Sequence, residues 1–254
     1  PLYDALDTFL YTPLVNTKNA PHVRDSIDLK RSMVLVVLAL LPAFLFGTYN
    51  VGLQEALNTG EKIFSNEYLN IWTHFSNGLS VVIPIYLVVY TVGGLCEGIF
   101  AVIRNHEINE GFLVTGFLIP LVLPPTIPLW MVALATAFGV IIGKEIFGGT
   151  GFNVFNPALM ARAFLFFAYP AYMSGDKVWT VDGMSCATPL LRVSSETTAF
   201  SSSILGEFTW VKMFLGFIPG SIGETSTVAI LIGAFMLIGV GIASWRTMLS
   251  TVIG

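Results

Sequence analysis

Charge is what this sequence lacks most. Its 254 residues include 12 Lys+Arg and 16 Asp+Glu, only 11% of the chain, against about 25% in an ordinary soluble domain. So little charge cannot cover a water-soluble globule of this size. Cysteine is nearly absent as well. Cys96 and Cys186 stand far apart with no CxxC pair, so the chain alone builds neither a four-thiolate zinc site nor an iron–sulfur motif. His22, His74 and His106 never fall at ligand spacing; no metal site and no chemical role is assigned to them. The net charge is −4 with no basic cluster, which excludes nucleic acid as the partner. Heptads, low-complexity tracts and long-period repeats are missing too. What remains is apolar: 54% hydrophobic residues and 20 Phe, with a mean hydropathy of +0.76. The expectation is an all-α integral membrane protein, a multi-span helical bundle.

A membrane span needs about 20 apolar residues. Met33 to Leu53 is uncharged and fits, and Gly78 to Ile103 fits by length but contains Glu97. Between Glu110 and Lys144 the chain is uncharged but broken by Pro120, Pro124, Pro125 and Pro128. Proline removes a backbone donor and clashes with the preceding turn, so this run divides into helices near 112–123 and 129–143. A short helix ending at Pro124-Pro125 is the broken element that transporters tolerate at membrane depth. Phe155 to Pro170 makes a fifth, shorter element, Thr225 to Trp245 a sixth, and a seventh begins after Arg246. The chain starts at Pro1 without a signal-peptide pattern and stops at Gly254 inside a new apolar stretch. It reads as the N-terminal part of a longer protein.

Lys and Arg set orientation. Lys18, Arg24, Lys30, Arg31, Arg104, Lys144 and Arg246 fall on one side, and Lys62, Lys177, Arg192 and Lys212 on the other. Four regions follow. Residues 1–32 form a cytoplasmic membrane-surface segment, and 33–170 hold about five helices. Residues 171–224 make one long extracytoplasmic loop, and 225–254 the sixth helix and the start of a seventh.

Few residues in these regions carry chemistry. An ionised carboxylate at membrane depth costs roughly 2.5–3.5 kcal/mol on insertion scales. Glu97 is therefore either a cation or proton relay or an interfacial group paired with Arg104. Gly93-Gly94, one turn earlier, admits a neighbouring helix or a flat ligand. Gly148-Gly-Thr-Gly-Phe-Asn-Val-Phe-Asn-Pro157 joins two apolar elements. Asn153 and Asn156 there can hydrogen-bond a heteroaromatic ligand or an anion. Equally, Asn156 can cap a helix with Pro157 in its first turn. Phe164, Phe166, Phe167 and Tyr169 are aromatic packing or the lining of a quinone slot. Asp182-Gly-Met-Ser-Cys-Ala-Thr188 is by composition a turn ending in a hydroxyl.

That last string resembles the sequence at which a flavin transferase links FMN to threonine through a phosphoester. Other strings resemble the B-subunit family of the sodium-translocating NADH:quinone oxidoreductases. They are His22-Val-Arg-Asp-Ser-Ile-Asp-Leu-Lys-Arg31, Asn109-Glu-Gly-Phe112, Lys144-Glu-Ile-Phe-Gly-Gly-Thr-Gly151, Asn156-Pro-Ala158, Phe164-Leu-Phe-Phe-Ala-Tyr-Pro170 and Pro219-Gly-Ser-Ile-Gly-Glu224. They run in order across nearly the whole chain.

The resemblance implies a membrane component of a redox-driven sodium pump in the bacterial inner membrane, an NADH:ubiquinone reductase. FMN sits on Thr188, within the motif that contains Asp182 and Ser185, and electrons pass through riboflavin to ubiquinone. By the same resemblance Asn153 and Asn156 lie near riboflavin. Gly93, Gly94, Phe164 and Phe166 match quinone or inhibitor positions, and Glu97 matches an acidic position linked to sodium uptake. The implied partners are other subunits of the complex, a flavin transferase during maturation, quinone, sodium ion and lipid. One departure is Cys186, where the family usually carries Gly or Ser. The D-subunit family of the related Rnf complex shares the threonine motif and is the alternative. A non-redox solute channel or transporter is the alternative from another class.

Overall fold

The structure, a computed structural model, describes residues 19–20, 29–58, 71–104, 111–175, 180–181, 184–185, 188–191 and 209–254. Two long helices come first, α1 (Leu29–Asn58) and α2 (Ile71–Arg104), each with a proline inside, Pro42 and Pro84. The short helix α3 (Gly111–Leu121) and α4 (Leu129–Gly143) follow, then a 3₁₀ turn at Glu145–Phe147 and α5 (Pro157–Ala168). After a single turn, α6 (Pro170–Met173), comes a small antiparallel ribbon. Its strands β1 (Thr180–Val181) and β2 (Met184–Ser185) pair Thr180 with Ser185 and Val181 with Met184. The helices α7 (Trp210–Leu215), α8 (Thr227–Val240) and α9 (Trp245–Ile253) close the described chain.

By length and composition, three segments are fit to cross a membrane: Arg31–Leu57, Ile71–Arg104 and Leu129–Phe147. The shorter apolar helices are α3, α5 and α8. Helix α2 shows why they form a bundle. Its buried residues Gly78, Val82, Ile85, Val89, Gly93, Glu97 and Ala101 recur every three or four positions. Its opposite face exposes Leu87, Leu95 and Ile103. A helix that is apolar on both faces suits protein on one side and lipid on the other.

Between helices already surrounded by apolar lipid, burial alone supplies little drive, so close backbone packing decides the contacts. Helix α1 packs on α2 and α8, α2 on α4, and α4 on α5, while α3 touches α1, α2 and α5. Glycine permits the closest of these crossings. A Cβ at Gly78 would overlap the Thr48 carbonyl oxygen, and one at Gly52 that of His74.

The broken helix α3 is repaired by its neighbours. Tyr86 and Tyr90, one turn apart on α2, donate their hydroxyls to the carbonyls of Phe117 and Leu113, each at 3.2 Å. Beyond its end, the Ile222 and Gly223 amides donate to the Leu123 and Leu121 carbonyls at 3.1 and 2.8 Å. Ile222, Thr225 and Ser226 are buried there. The last residues of the segment drawn as a loop from 171 to 224 are therefore built into the bundle. Irregular backbone at such depth persists only where protein satisfies its polar groups.

Candidate functional site

Glu97 lies on the inner face of α2 and is 4% exposed. Its carboxylate is ion-paired with the ammonium of Lys144, equally buried. Lys144 is the C-cap of α4, where the negative end of the helix dipole favours a cation. Its neighbour Glu145 is 2% exposed, with Oε1 3.9 Å from Lys144 Nζ and Oε2 4.0 Å from a nitrogen of Arg104. Oε2 makes no hydrogen bond among the described residues.

One of the two readings of Glu97 is corrected. Arg104 is engaged with Glu145, while Glu97 is tied to Lys144, so the interfacial Glu97–Arg104 pair is not formed. Lys144, one of the seven cations counted on one side for orientation, has its side chain buried against Glu97. Lys144 and Glu145 were missed as site residues. The signal was a Lys-Glu dipeptide directly at the end of an uncharged run.

A cavity of about 260 Å³ opens beside this cluster. Lys144, Thr150, Asn153, Asn156, Thr115 and Phe155 contribute to its wall. The strand of chain bounding it turns sharply at Gly148, Gly149 and Gly151, whose φ values of 123°, 93° and 92° lie where side chains are rarely tolerated. Thr150 Oγ1 faces this region buried and without a hydrogen-bond partner among the described residues. Asn153 is held locally: its Oδ1 accepts from the Gly151 amide and its Nδ2 donates to the Phe155 carbonyl. Asn156 Oδ1 caps α5, accepting from Ala158 N at 2.9 Å and Leu159 N at 3.5 Å, with Pro157 next in line. Capping and cavity lining are both true of Asn156.

The four expected quinone-site residues differ in burial. A Cβ at Gly93 would overlap the Phe112 ring, whereas one at Gly94 would meet that ring only at 3.9 Å. Phe164 stacks on Phe138 with centroids 4.5 Å apart, and Phe166 is 56% exposed beside Phe167. Gly93 is thus closely packed, Gly94 and Phe164 are half-buried, and Phe166 is exposed. Helix α4, touching both α2 and α5, lies between the glycine pair and the phenylalanine pair.

Thr188 is half-buried. Its amide donates to the Gly175 carbonyl at 3.0 Å, and its hydroxyl oxygen lies 2.6 Å from where a Cβ on Gly175 would be. Asp182 and Cys186 lie outside the described residues, and Ser185 is described by backbone alone, in β2. No group of three potential metal-binding side chains occurs among the described residues.

The profile of the NQR2, RnfD, RnfE family matches residues 16–254. The chain belongs to that family. Three relatives carry the name of the B subunit of the Na(+)-translocating NADH-quinone reductase. The one from Chromohalobacter salexigens is 51% identical over 269 residues, covering 100% of this chain and 65% of the relative. That of Stutzerimonas stutzeri is 51% identical over 271 residues, covering 100% and 67%. That of Azotobacter vinelandii is 48% identical over 271 residues, again 100% and 67%. The chain spans about two thirds of the length of the curated relatives it matches. As a family member with several apolar helices, it is a multi-pass protein of the bacterial inner membrane.

Proposed function

We propose that the chain is a membrane component of a sodium-translocating NADH:quinone oxidoreductase, with FMN joined to Thr188, riboflavin in the Lys144-lined cavity and ubiquinone as electron acceptor. The observation that carries this reading is a cavity of mixed polar and apolar lining whose wall residue Lys144 is ion-paired with the buried carboxylate of Glu97, in a chain about half identical to proteins named for that complex. The flavins and the quinone supply the electron-transfer chemistry, and the protein supplies attachment, orientation and electrostatics.

The residues present suit these groups. A phosphoester needs a hydroxyl, and Thr188 offers one against a glycine that leaves it room. The cavity, walled in part by Lys144, Thr150, Asn153 and Asn156, suits a flat ring system better than a whole nucleotide. Glu97 supplies hard carboxylate oxygens, suited to a small cation. Segment 171–224 faces the extracytoplasmic side, with the transferase acting there during maturation. The apolar outer faces of the helices meet lipid and the other subunits.

The test is covalent flavin. After denaturation and electrophoresis the chain should fluoresce, and the intact mass should exceed the sequence mass by one FMN less water. Thr188→Ala should abolish both signals, and Thr188→Ser should retain some. Fluorescence that persists in the alanine variant overturns the assignment. Absence of covalent flavin from the unmodified chain returns the channel reading.

A further inference from the structure

We infer that Tyr86 and Tyr90 are positioning residues for the cavity ligand: their hydroxyls fix the rotation and depth of the short helix α3, whose opposite face is one wall of the cavity. The residues of α3 divide into two stripes. Gly111, Val114, Thr115 and Leu118 line the cavity. Phe112, Leu113, Gly116 and Phe117 are the ones that meet α2. At 3.6 residues per turn these stripes stand on opposite sides of the helix. Whatever holds one stripe therefore places the other.

The helix needs holding. Pro120 inside it has no N–H, so the Gly116 carbonyl loses the donor that the helix would give it. Pro124-Pro125 then prevent the helix from continuing. Packing keys α3 to α2 at two seats. The Phe112 ring lies where a Cβ on Gly93 would be, and the Tyr90 ring comes within 2.9 Å of where a Cβ on Gly116 would be. Rings in such seats still allow a small turn or slide, because dispersion has little direction.

The hydroxyls remove that freedom. Tyr86 and Tyr90 stand four apart on α2, and the carbonyls they reach, Phe117 and Leu113, stand four apart on α3. Turning α3 by one residue takes both carbonyls out of reach and carries Thr115 and Leu118 off the cavity wall. The rings packed on the two tyrosines, Phe44, Phe112 and Phe117, offer no acceptor of comparable strength. A hydroxyl that loses its carbonyl there is left unpaired, which is costly.

This inference rests on the reading above for the identity of the ligand, riboflavin. A flat ring system depends on the spacing of the walls against its faces, so a displaced wall weakens binding. Neither tyrosine lines the cavity itself, so both act through α3.

The experiment exchanges bound riboflavin against isotopically labelled riboflavin in the purified complex and follows it by mass. Covalent flavin on the same chain and the melting temperature are measured beside it. Tyr86→Phe and Tyr90→Phe keep the rings and remove only the hydroxyls. Each should speed riboflavin exchange about fivefold, the net worth of one hydrogen bond, with covalent flavin unchanged. Gly116→Ala, which pushes a methyl into the Tyr90 ring, should give the same effect from the α3 side. Val51→Ala is the structural control. It empties part of the core far along α1 from Met33, the α1 residue in the cavity wall, and should lower the melting temperature with exchange unchanged. Exchange that simply follows the melting temperature across the set, Val51→Ala included, makes the tyrosines structural and overturns the inference. If Gly116→Ala does not assemble, the two Phe variants decide. An unmodified complex that holds no riboflavin sinks the functional reading itself. A riboflavin-loaded complex whose exchange ignores both hydroxyls sinks only this inference.

Discussion

Two regions carry the chemistry proposed for this chain, and they are built in opposite ways. The Glu97 cluster draws its members from α2, the end of α4 and the turn beyond it, and every acidic or ammonium group in it is at least nine-tenths buried. The Thr188 region is a short run of neighbours along the chain, tied to the bundle through Gly175. A modifying enzyme must read its target from outside, so an attachment site works best as a local string. An intramembrane ion site needs desolvation, which only the assembled helices provide. The difference lies between chemistry encoded in succession and chemistry encoded in packing.

Separate substitutions can break that comparison. Removing one partner of a buried ion pair leaves the other charge uncompensated and costs about 3–5 kcal/mol. Glu97→Ala is therefore expected to lower the melting temperature of the complex markedly and raise the sodium concentration needed for half-activation of quinone reduction. It should nonetheless keep flavin on Thr188 in the gel. Glu97→Asp should be affected less. Loss of covalent flavin in Glu97→Ala would show the two regions to be one cooperative unit.

A glycine pair sharpens the view of the buried region. Gly93→Ala forces a methyl into the Phe112 ring and should destabilise by about 1–3 kcal/mol, the usual range for overpacking. Phe112→Leu in the same chain should recover part of it. Gly94→Ala should leave stability within about 0.5 kcal/mol, so any change it makes in quinone or inhibitor affinity reports on ligand contact. Thermal unfolding of these variants distinguishes the outcomes.

On the other side of the comparison, Gly175→Ala puts a methyl against the Thr188 hydroxyl. Flavin occupancy should fall several-fold by in-gel fluorescence while the melting temperature stays near that of the unmodified complex. Unchanged occupancy would mean that the transferase acts on a conformation in which Thr188 is away from Gly175. The smallest effect is expected at Arg162, whose side chain donates to both Glu224 oxygens at 2.7 Å but is 40% exposed. Exposed pairs contribute about 0–1 kcal/mol, so Arg162→Gln should barely move the melting curve.

Much of the fold is legible from residue order. Helix α4 begins and ends where the prolines and Lys144 place it, and α1 and α2 extend the uncharged runs by a turn or two. The Asn156-Pro157 start of α5 is a local capping signal, readable because cap and capped amides are neighbours in sequence. Pairing was not legible. Glu97 and Lys144 stand 47 positions apart, and Arg104 was the nearer cation along the helix. Nor does any local signal bring Ile222 and Gly223 to the broken end of α3.

By itself, then, the sequence determined what depends on neighbours: the apolar spans, the breaks at proline, the glycine turn and the threonine string. Tertiary structure alone decided which charge answers which carboxylate and which glycine is packed rather than open. It also decided that a lysine at a helix end would be buried between a carboxylate, Glu97, and a cavity. The physical reason is that burial and electrostatic pairing act through space. A side chain's dielectric surroundings and counter-charges come from segments far away in the chain, and no pattern along the chain names them.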